Sequence, residues 1–101
     1  MKELIDTFLD YLSVERGLAA NTIVSYRQDL GTFAAFLKKR GIELAGKAGR
    51  GDIVDFMMFQ KDQGISPNSI CRRLAAMRMF YRFLVRERVI PADPTALVES
   101  P

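Results

Sequence analysis

The sequence predicts an all-α protein, a four-helix bundle-like orthogonal domain with a short fifth helix at its C-terminal end. Three observations support this prediction. Apolar residues recur at three- and four-residue steps in four segments, Gly or Pro separates those segments, and no stretch sustains the alternation typical of a strand. A chain of 101 residues can bury one modest core. We therefore expect residues 1–101 to form a single domain.

The first two predicted helices cover residues 2–16 and 20–40, and glycines at positions 17 and 41 follow them as helix stops. Each has one apolar face. On the first helix it consists of Ile5, Phe8, Leu9 and Leu12, with Leu4 and Tyr11 at its edges. On the second helix it consists of Ile23, Tyr26, Leu30, Phe33 and Leu37.

Residues 41–51 hold most of the chain's glycines and are predicted to form a loop. Its segment GKAGRG is not a phosphate-binding loop, because no Ser or Thr follows the lysine and no strand precedes it. The third predicted helix covers residues 50–63. Its expected buried residues are Ile53, Phe56, Met57 and Phe59.

The fourth predicted helix, residues 66–89, combines an apolar stripe with a row of arginines. Ser66 is the expected N-cap and Pro67 the first helical residue. Acidic and basic residues balance over positions 1–65, so the net charge of +3 arises from residues 66–101. The row indicates either a nucleic-acid surface or a solvated helix face. Beyond it, Asp93 is expected to cap the short fifth helix, which ends at Leu97.

The composition excludes several kinds of chemistry. The chain has no histidine and a single cysteine, Cys71, which excludes an internal disulfide, a Ser–His–Asp triad and the usual zinc sites. We therefore predict no catalytic residue, metal ligand or cofactor. No apolar run approaches the roughly 18 residues of a membrane span, and the N-terminus does not resemble a signal peptide. A cytoplasmic protein without a membrane partner is expected.

Two segments carry a family resemblance. They are GLAANTIVSYRQDLGTFAAFLKKRGI, residues 17–42, and GISPNSICRRLAAMRMFYRFLVRERVIPADPTALVESP, residues 64–101, and the resemblance spans nearly the whole chain. Both resemble the N-terminal core-binding, SAM-like domain of tyrosine recombinases, and are most similar to Xer-type recombinases and phage-type integrases. Ala19 stands where that family often has a capping serine.

The resemblance implies a role in DNA recombination and integration. In such enzymes two domains form a clamp around double-stranded DNA, and the second and fourth helices of the N-terminal domain face the major groove. The catalytic residues belong to a C-terminal domain that is absent here. It follows that this chain binds DNA without cutting it, and that Tyr11, Tyr26 and Tyr81 are not nucleophiles. Other recombinase protomers are implied partners, and the isolated domain is expected to be monomeric.

The resemblance also assigns the DNA-binding residues. They are Asn21, Thr22, Ser25 and Arg27 on the second helix, and Asn68, Ser69, Arg72 and Arg73 on the fourth. At about 100° per residue, Arg72 lies about 200° from Ile70, opposite the core, whereas Arg73 lies at its edge. We therefore expect Arg72 to read a guanine, and Arg73 and Arg27 to contact phosphates.

Two other functions remain compatible with the residues. The chain could be a helical protein-interaction module that docks through its first and last helices. It could also be a helix-turn-helix repressor, since a tight turn at residues 64–67 precedes a basic helix. The length and apolar content of the fourth helix argue against an exposed recognition helix.

Overall fold

The computed structural model describes residues 1–99 and confirms the all-α class. Its four α-helices are α1 (Lys2–Val14), α2 (Ala20–Lys39), α3 (Arg50–Asp62) and α4 (Pro67–Arg86). Each ends one to three residues earlier than the sequence predicts. Helices α2 and α4 each pack against the other three helices, so these two organise the domain.

Two connecting segments differ from the prediction. Within the expected loop, Ala45–Lys47 forms a short 3₁₀ helix. The expected fifth helix is absent from residues 94–97, which form turns instead. Asp93 does accept hydrogen bonds from the Thr95 amide and hydroxyl, at 2.8 and 2.7 Å. The backbone bonds that follow join residues three apart, from Ala96 to Asp93 and from Val98 to Thr95, and these close turns rather than an α-helix. The final two residues of the DPTALVESP motif, 100 and 101, lie outside the described residues.

A residue with positive φ follows each of the four helices, and α2, α3 and α4 end in the same left-handed reversal. Gly41, after α2, has φ 80°, and the Ile42 amide donates to the Leu37 carbonyl at 2.9 Å. Gly64, after α3, has φ 78°, and the Ile65 amide donates to the Gln60 carbonyl at 3.1 Å. After α4 the equivalent position is Arg88, with φ 59°, and the Val89 amide donates to the Leu84 carbonyl at 2.9 Å. Glycine adopts this conformation readily, whereas a residue with a Cβ is strained in it. Arg88 therefore holds the end of α4 at a conformational cost.

The core is a continuous run of aromatic rings that crosses the domain from α1 to α3. Successive ring centroids lie 5.4 to 6.2 Å apart. The order is Phe8, Phe80, Tyr81, Phe33 and Phe56, all essentially buried. Edge-on and tilted ring contacts of this kind stabilise a core beyond the area they bury. The ring contacts thus tie all four helices together.

The predicted apolar faces of α1 and α4 are buried as expected, but that of α3 needs a correction. Phe59 is 43% exposed and packs on the Phe36 ring at 5.3 Å, while Gln60 is buried. The reason is the helical period, since Gln60 lies four residues after Phe56 and seven after Ile53. On α2, Ile23 and Tyr26 are only partly buried.

Candidate nucleic-acid interface

Arg72 forms a two-point contact with a buried carboxylate on the neighbouring helix. Its Nε donates to Asp29 Oδ2 at 3.1 Å and its Nη2 to Asp29 Oδ1 at 2.9 Å. The Asp29 side chain is 1% exposed, while that of Arg72 is 51% exposed. The hydrogen bonds to Asp29, followed by its charge, raise the pKa of Arg72. The guanidinium is therefore fixed on one side and open to solvent on the other.

Arg73 belongs to the same polar cluster but points inward. Its Nη1 donates to the Gln60 side-chain oxygen at 3.0 Å, and its Nε lies 3.5 Å from Asp29 Oδ1. That Nε is buried and has no hydrogen-bond partner among the described residues. The side chain is 19% exposed, so Arg73 has much less surface to offer a ligand than Arg72.

Arg27 of α2 forms an ion pair with a residue of α1. Its Nη1 donates to Asp6 Oδ1 on α1 at 2.6 Å, and both side chains are about half exposed. An exposed pair of this kind contributes little stability and is readily exchanged. Arg27 can therefore leave Asp6 for another anion at small cost.

The predicted polar residues occupy helix starts. Asn21 is exposed in the first turn of α2, while Thr22 and Ser25 are partly buried. The N-cap of α2 is Ala19, which provides no side-chain cap for the first amides. On α4 Asn68 is exposed, and Ser66 Oγ accepts a hydrogen bond from the Ser69 amide at 3.3 Å. Pro67 has no N–H and Ser66 already occupies the Ser69 amide, so the free first-turn amides, which favour anions, belong mainly to α2.

The structure separates the predicted residues into two groups. Asp29 of α2 contacts Arg72 of α4, and the Tyr26 hydroxyl lies 3.5 Å from Met79 Sδ. Since the later residue of α2 contacts the earlier residue of α4, the two helices run antiparallel where they touch. The start of α2 consequently lies toward the middle of α4 and away from Asn68 and Ser69.

Sequence reasoning missed Asp29 and Gln60, although a signal was available. Asp29 falls three residues after Tyr26 and four before Phe33, on the apolar face of α2. Gln60 falls on the apolar face of α3. A charged residue on a buried face must be paired. When another helix of the same chain carries adjacent arginines, an acidic residue on a buried face therefore indicates an internal ion pair.

The later arginines of α4 have other contacts. Arg86 lies over the Tyr11 ring, 4.4 Å from its centroid, and donates to the Tyr11 hydroxyl at 2.7 Å. This hydrogen bond, assisted by Arg16, lowers the pKa of Tyr11. Arg78 donates to the Val98 carbonyl and so holds the C-terminal segment against α4.

Residues 1–99 contain no group of three or more His, Cys, Asp or Glu side chains suited to a metal ion. No helix within that range is both long and apolar enough to cross a membrane. The candidate site therefore consists of arginines, small polar side chains and helix-start amides.

These features define a class of protein, a small all-α domain that exposes an arginine held in place by a buried carboxylate. Residues 5–88 match the family described as "Phage integrase, N-terminal SAM-like domain". The match covers most of the chain, and the chain belongs to that family. The resemblance noted in the sequence is thereby confirmed.

Several relatives are similar over the whole chain. Tyrosine recombinase XerD of Pseudomonas putida is 45% identical over 98 residues, which cover 97% of this chain and 33% of the relative. Tyrosine recombinase XerD of Listeria innocua is 39% identical over 102 residues, covering 100% of this chain and 34% of the relative. Tyrosine recombinase XerC of Herpetosiphon aurantiacus is 37% identical over 101 residues, covering 100% and 33%. The chain thus spans about a third of the length of these relatives.

Proposed function

We propose that this chain is the DNA-binding domain of a site-specific tyrosine recombinase, and that it clamps one face of the duplex through α2 and α4. Membership of the integrase N-terminal family, with recombinases similar over the full chain, carries the proposal. The chain itself performs no catalysis. Strand cleavage belongs to the remainder of a longer recombinase, which acts in the cytoplasm on the DNA it recombines.

The exposed edge of Arg72 supports a base-reading role. A guanidinium has five N–H donors, and Asp29 uses only those of Nε and one from Nη2. The remaining Nη1 and Nη2 donors form a fork that matches O6 and N7 of guanine in the major groove. Arg72 is therefore the proposed reader.

Phosphate contacts would come from the rest of the predicted set. Arg27 is half exposed and can exchange Asp6 for a backbone phosphate. The uncapped start of α2 offers amide donors and the side chains of Asn21, Thr22 and Ser25. The capped start of α4 offers mainly the side chains of Asn68 and Ser69. Arg73 stays in the set, with a smaller share because most of its side chain is buried.

An NMR titration of the 101-residue chain with duplex DNA tests the proposal. Because the target site is unidentified, the probe is the duplex most enriched by the chain from a pool with a randomised core. We expect chemical-shift changes at the starts of α2 and α4 and around Arg72. Changes confined to α1, or none at all, would contradict the proposal.

Two variants separate base reading from phosphate contact. Arg72→Ala should weaken binding to the enriched duplex by roughly 5- to 150-fold relative to a shuffled duplex. Arg73→Ala should weaken both duplexes alike and reduce the salt slope. Arg82→Ala, an exposed arginine later on α4, is the matched control. Equal losses on both duplexes for both variants would refute this division.

The second candidate function is contact with other recombinase protomers. Val14 at the end of α1 is 78% exposed, and Leu97 in the C-terminal segment is 77% exposed. Among residues 1–99 these are the two most exposed large apolar side chains, and they lie on the two segments that the interaction hypothesis assigns to the contact. Sedimentation of the chain with and without duplex tests it, since DNA-dependent self-association lost in Val14→Ser would support the contact. A chain that stays monomeric at saturating duplex would exclude it.

A further inference from the structure

The polar cluster at the α2–α4 contact pairs one buried carboxylate with two guanidinium groups, one partly buried and one half exposed. Asp29 is 1% exposed, yet it lies within 3.5 Å of nitrogen atoms of both Arg72 and Arg73. Burying a carboxylate is costly unless it is fully paired. Helix packing alone would be served equally well by an apolar residue at this position. The cluster therefore indicates a role for Asp29 beyond holding the helices together.

We propose that Asp29 is a positioning residue for DNA recognition, which fixes the Arg72 guanidinium so that its free edge faces the duplex. This inference rests on the proposed function. Asp29 binds the Nε–Nη2 edge of Arg72 and leaves the Nη1–Nη2 edge for a base. A free arginine loses considerable side-chain freedom when it binds, whereas one already held in place loses less.

Gln60 and Arg73 form the less exposed part of the same cluster. Gln60, itself 2% exposed, accepts a hydrogen bond from Arg73 Nη1 at 3.0 Å. Arg73 thereby stays beside Asp29 and adds a second positive charge to the buried carboxylate. The cluster keeps an excess of positive charge, so that Asp29 orients Arg72 without neutralising the surface.

A positioning role and a purely electrostatic effect predict different changes in DNA binding for Asp29→Asn. Asp29→Asn removes a negative charge beneath the surface, and by charge alone it should tighten binding to every DNA sequence. If Asp29 positions Arg72, the same change should lower preference for the enriched duplex, because the amide places an NH2 donor where one carboxylate oxygen accepts from Arg72, and the two-point contact is lost.

The experiment measures affinity of the wild-type chain, Asp29→Asn, Arg72→Ala and the double variant for the enriched and shuffled duplexes. Asp55→Asn is the matched charge control, since Asp55 forms an exposed pair with Arg40 outside the site. We expect Asp29→Asn to lose roughly 5- to 150-fold of selectivity, as Arg72→Ala does. Adding Asp29→Asn to Arg72→Ala should cause no further loss, and Asp55→Asn should leave selectivity unchanged.

The outcomes distinguish this inference from the proposed function. If the wild-type chain enriches no duplex, the DNA-binding function itself fails. If the wild type is selective and Asp29→Asn keeps that selectivity, only the positioning role is overturned. Selectivity lost additively in the double variant would likewise overturn it, because independent effects do not pass through Arg72.

A measurement on the wild-type chain covers the case in which Asp29→Asn does not fold. The Arg72 Nε–H signal should be protected from solvent exchange before duplex is added and should remain so at saturation. The Nη signals alone should change on binding. Loss of Nε–H protection in the complex would mean that Arg72 leaves Asp29 to bind DNA, and would overturn the proposal.

Discussion

Tyr81 on α4 donates its phenolic hydrogen to the Ala45 carbonyl at 2.9 Å, a bond that anchors the connection between α2 and α3 to the core. Both residues are buried. The carbonyl belongs to the 3₁₀ helix at Ala45–Lys47, whose position in an otherwise irregular connection is thereby fixed. Tyr81 thus both packs in the aromatic core and fixes the connecting loop against that core.

The Tyr81–Ala45 bond makes stability dependent on pH in the alkaline range. Tyr81→Phe removes one of the two hydrogen bonds that the Ala45 carbonyl accepts, the other coming from the Ala48 amide at 3.3 Å, and should cost about 0.5–1.5 kcal/mol at neutral pH. Burial, with smaller contributions from Asp93 and Asp52, raises the pKa of Tyr81. The unfolded chain therefore releases this proton first, above about pH 10, and the contribution of Tyr81 to stability falls as pH rises further.

Urea unfolding of the wild type and Tyr81→Phe across pH 7–12 checks this. The difference between them should be constant up to about pH 10 and then shrink by as much as about 1.4 kcal/mol per pH unit. A difference that stays constant throughout would contradict the assignment.

Arg88→Gly should stabilise the protein by about 0.5–1 kcal/mol, because Arg88 has φ 59° at the end of α4 and glycine adopts that conformation without strain. Thermal unfolding provides the measurement. Gly64→Ala is the reciprocal variant, since Gly64 has φ 78° and an added Cβ would meet no atom within 4 Å. It should destabilise by about 1 kcal/mol through backbone strain alone. A destabilised Arg88→Gly beside a destabilised Gly64→Ala would show that the Arg88 side chain makes a compensating contact.

Ala19→Ser should stabilise α2 by about 0.5–1 kcal/mol. The backbone of Ala19, with φ −64° and ψ 151°, nearly matches that of the N-cap Ser66, with φ −63° and ψ 149°. A serine oxygen at position 19 can therefore accept from the α2 amides as Ser66 accepts from Ser69. Thermal unfolding should show a gain for Ala19→Ser and a loss for Ser66→Ala. The capping account is wrong if Ser66→Ala is neutral.

The Arg86–Tyr11 contact predicts a titration shift. Because the hydrogen bond from Arg86 lowers the pKa of Tyr11, Arg86→Ala should move that pKa back toward about 10. The Tyr11 ring carbon signal, followed by NMR from pH 8 to 12, reports it. Arg82→Ala removes a neighbouring arginine that is not among the causes of the shift and should leave the titration unchanged. An unchanged Tyr11 pKa in Arg86→Ala would contradict the contact.

The sequence predicts helices α1 and α4 well because their apolar residues follow the helical period without interruption. It predicts α3 less well, because Phe59 is more hydrophobic than Gln60 while the period places Gln60 inside. Hydrophobicity says which residue prefers burial, but geometry decides which one faces the core. The turns at residues 94–97 are also not predicted, because an aspartate caps an isolated turn as readily as it caps a helix.

The sequence predicts the arginines of the candidate site, but not the buried residues that pair with them. Arg72 is correctly placed opposite Ile70 by the helical wheel, yet its bond to Asp29 spans 43 residues and depends on how α2 and α4 pack. Local periodicity contains no such information. The DNA contacts of all eight predicted residues, from Asn21 to Arg73, stay predictions until a duplex is titrated.

The polar cluster has a consequence for folding as well as for recognition. Asp29, Gln60 and Arg72 lie on three different helices, and the hydrogen bonds that join these helices form only once the helices have docked. A peptide that contains α4 alone carries both arginines but lacks the acceptors that orient them. Recognition should therefore be a cooperative property of the whole domain, lost on heating in the same transition as the native fold rather than surviving in its separated helices.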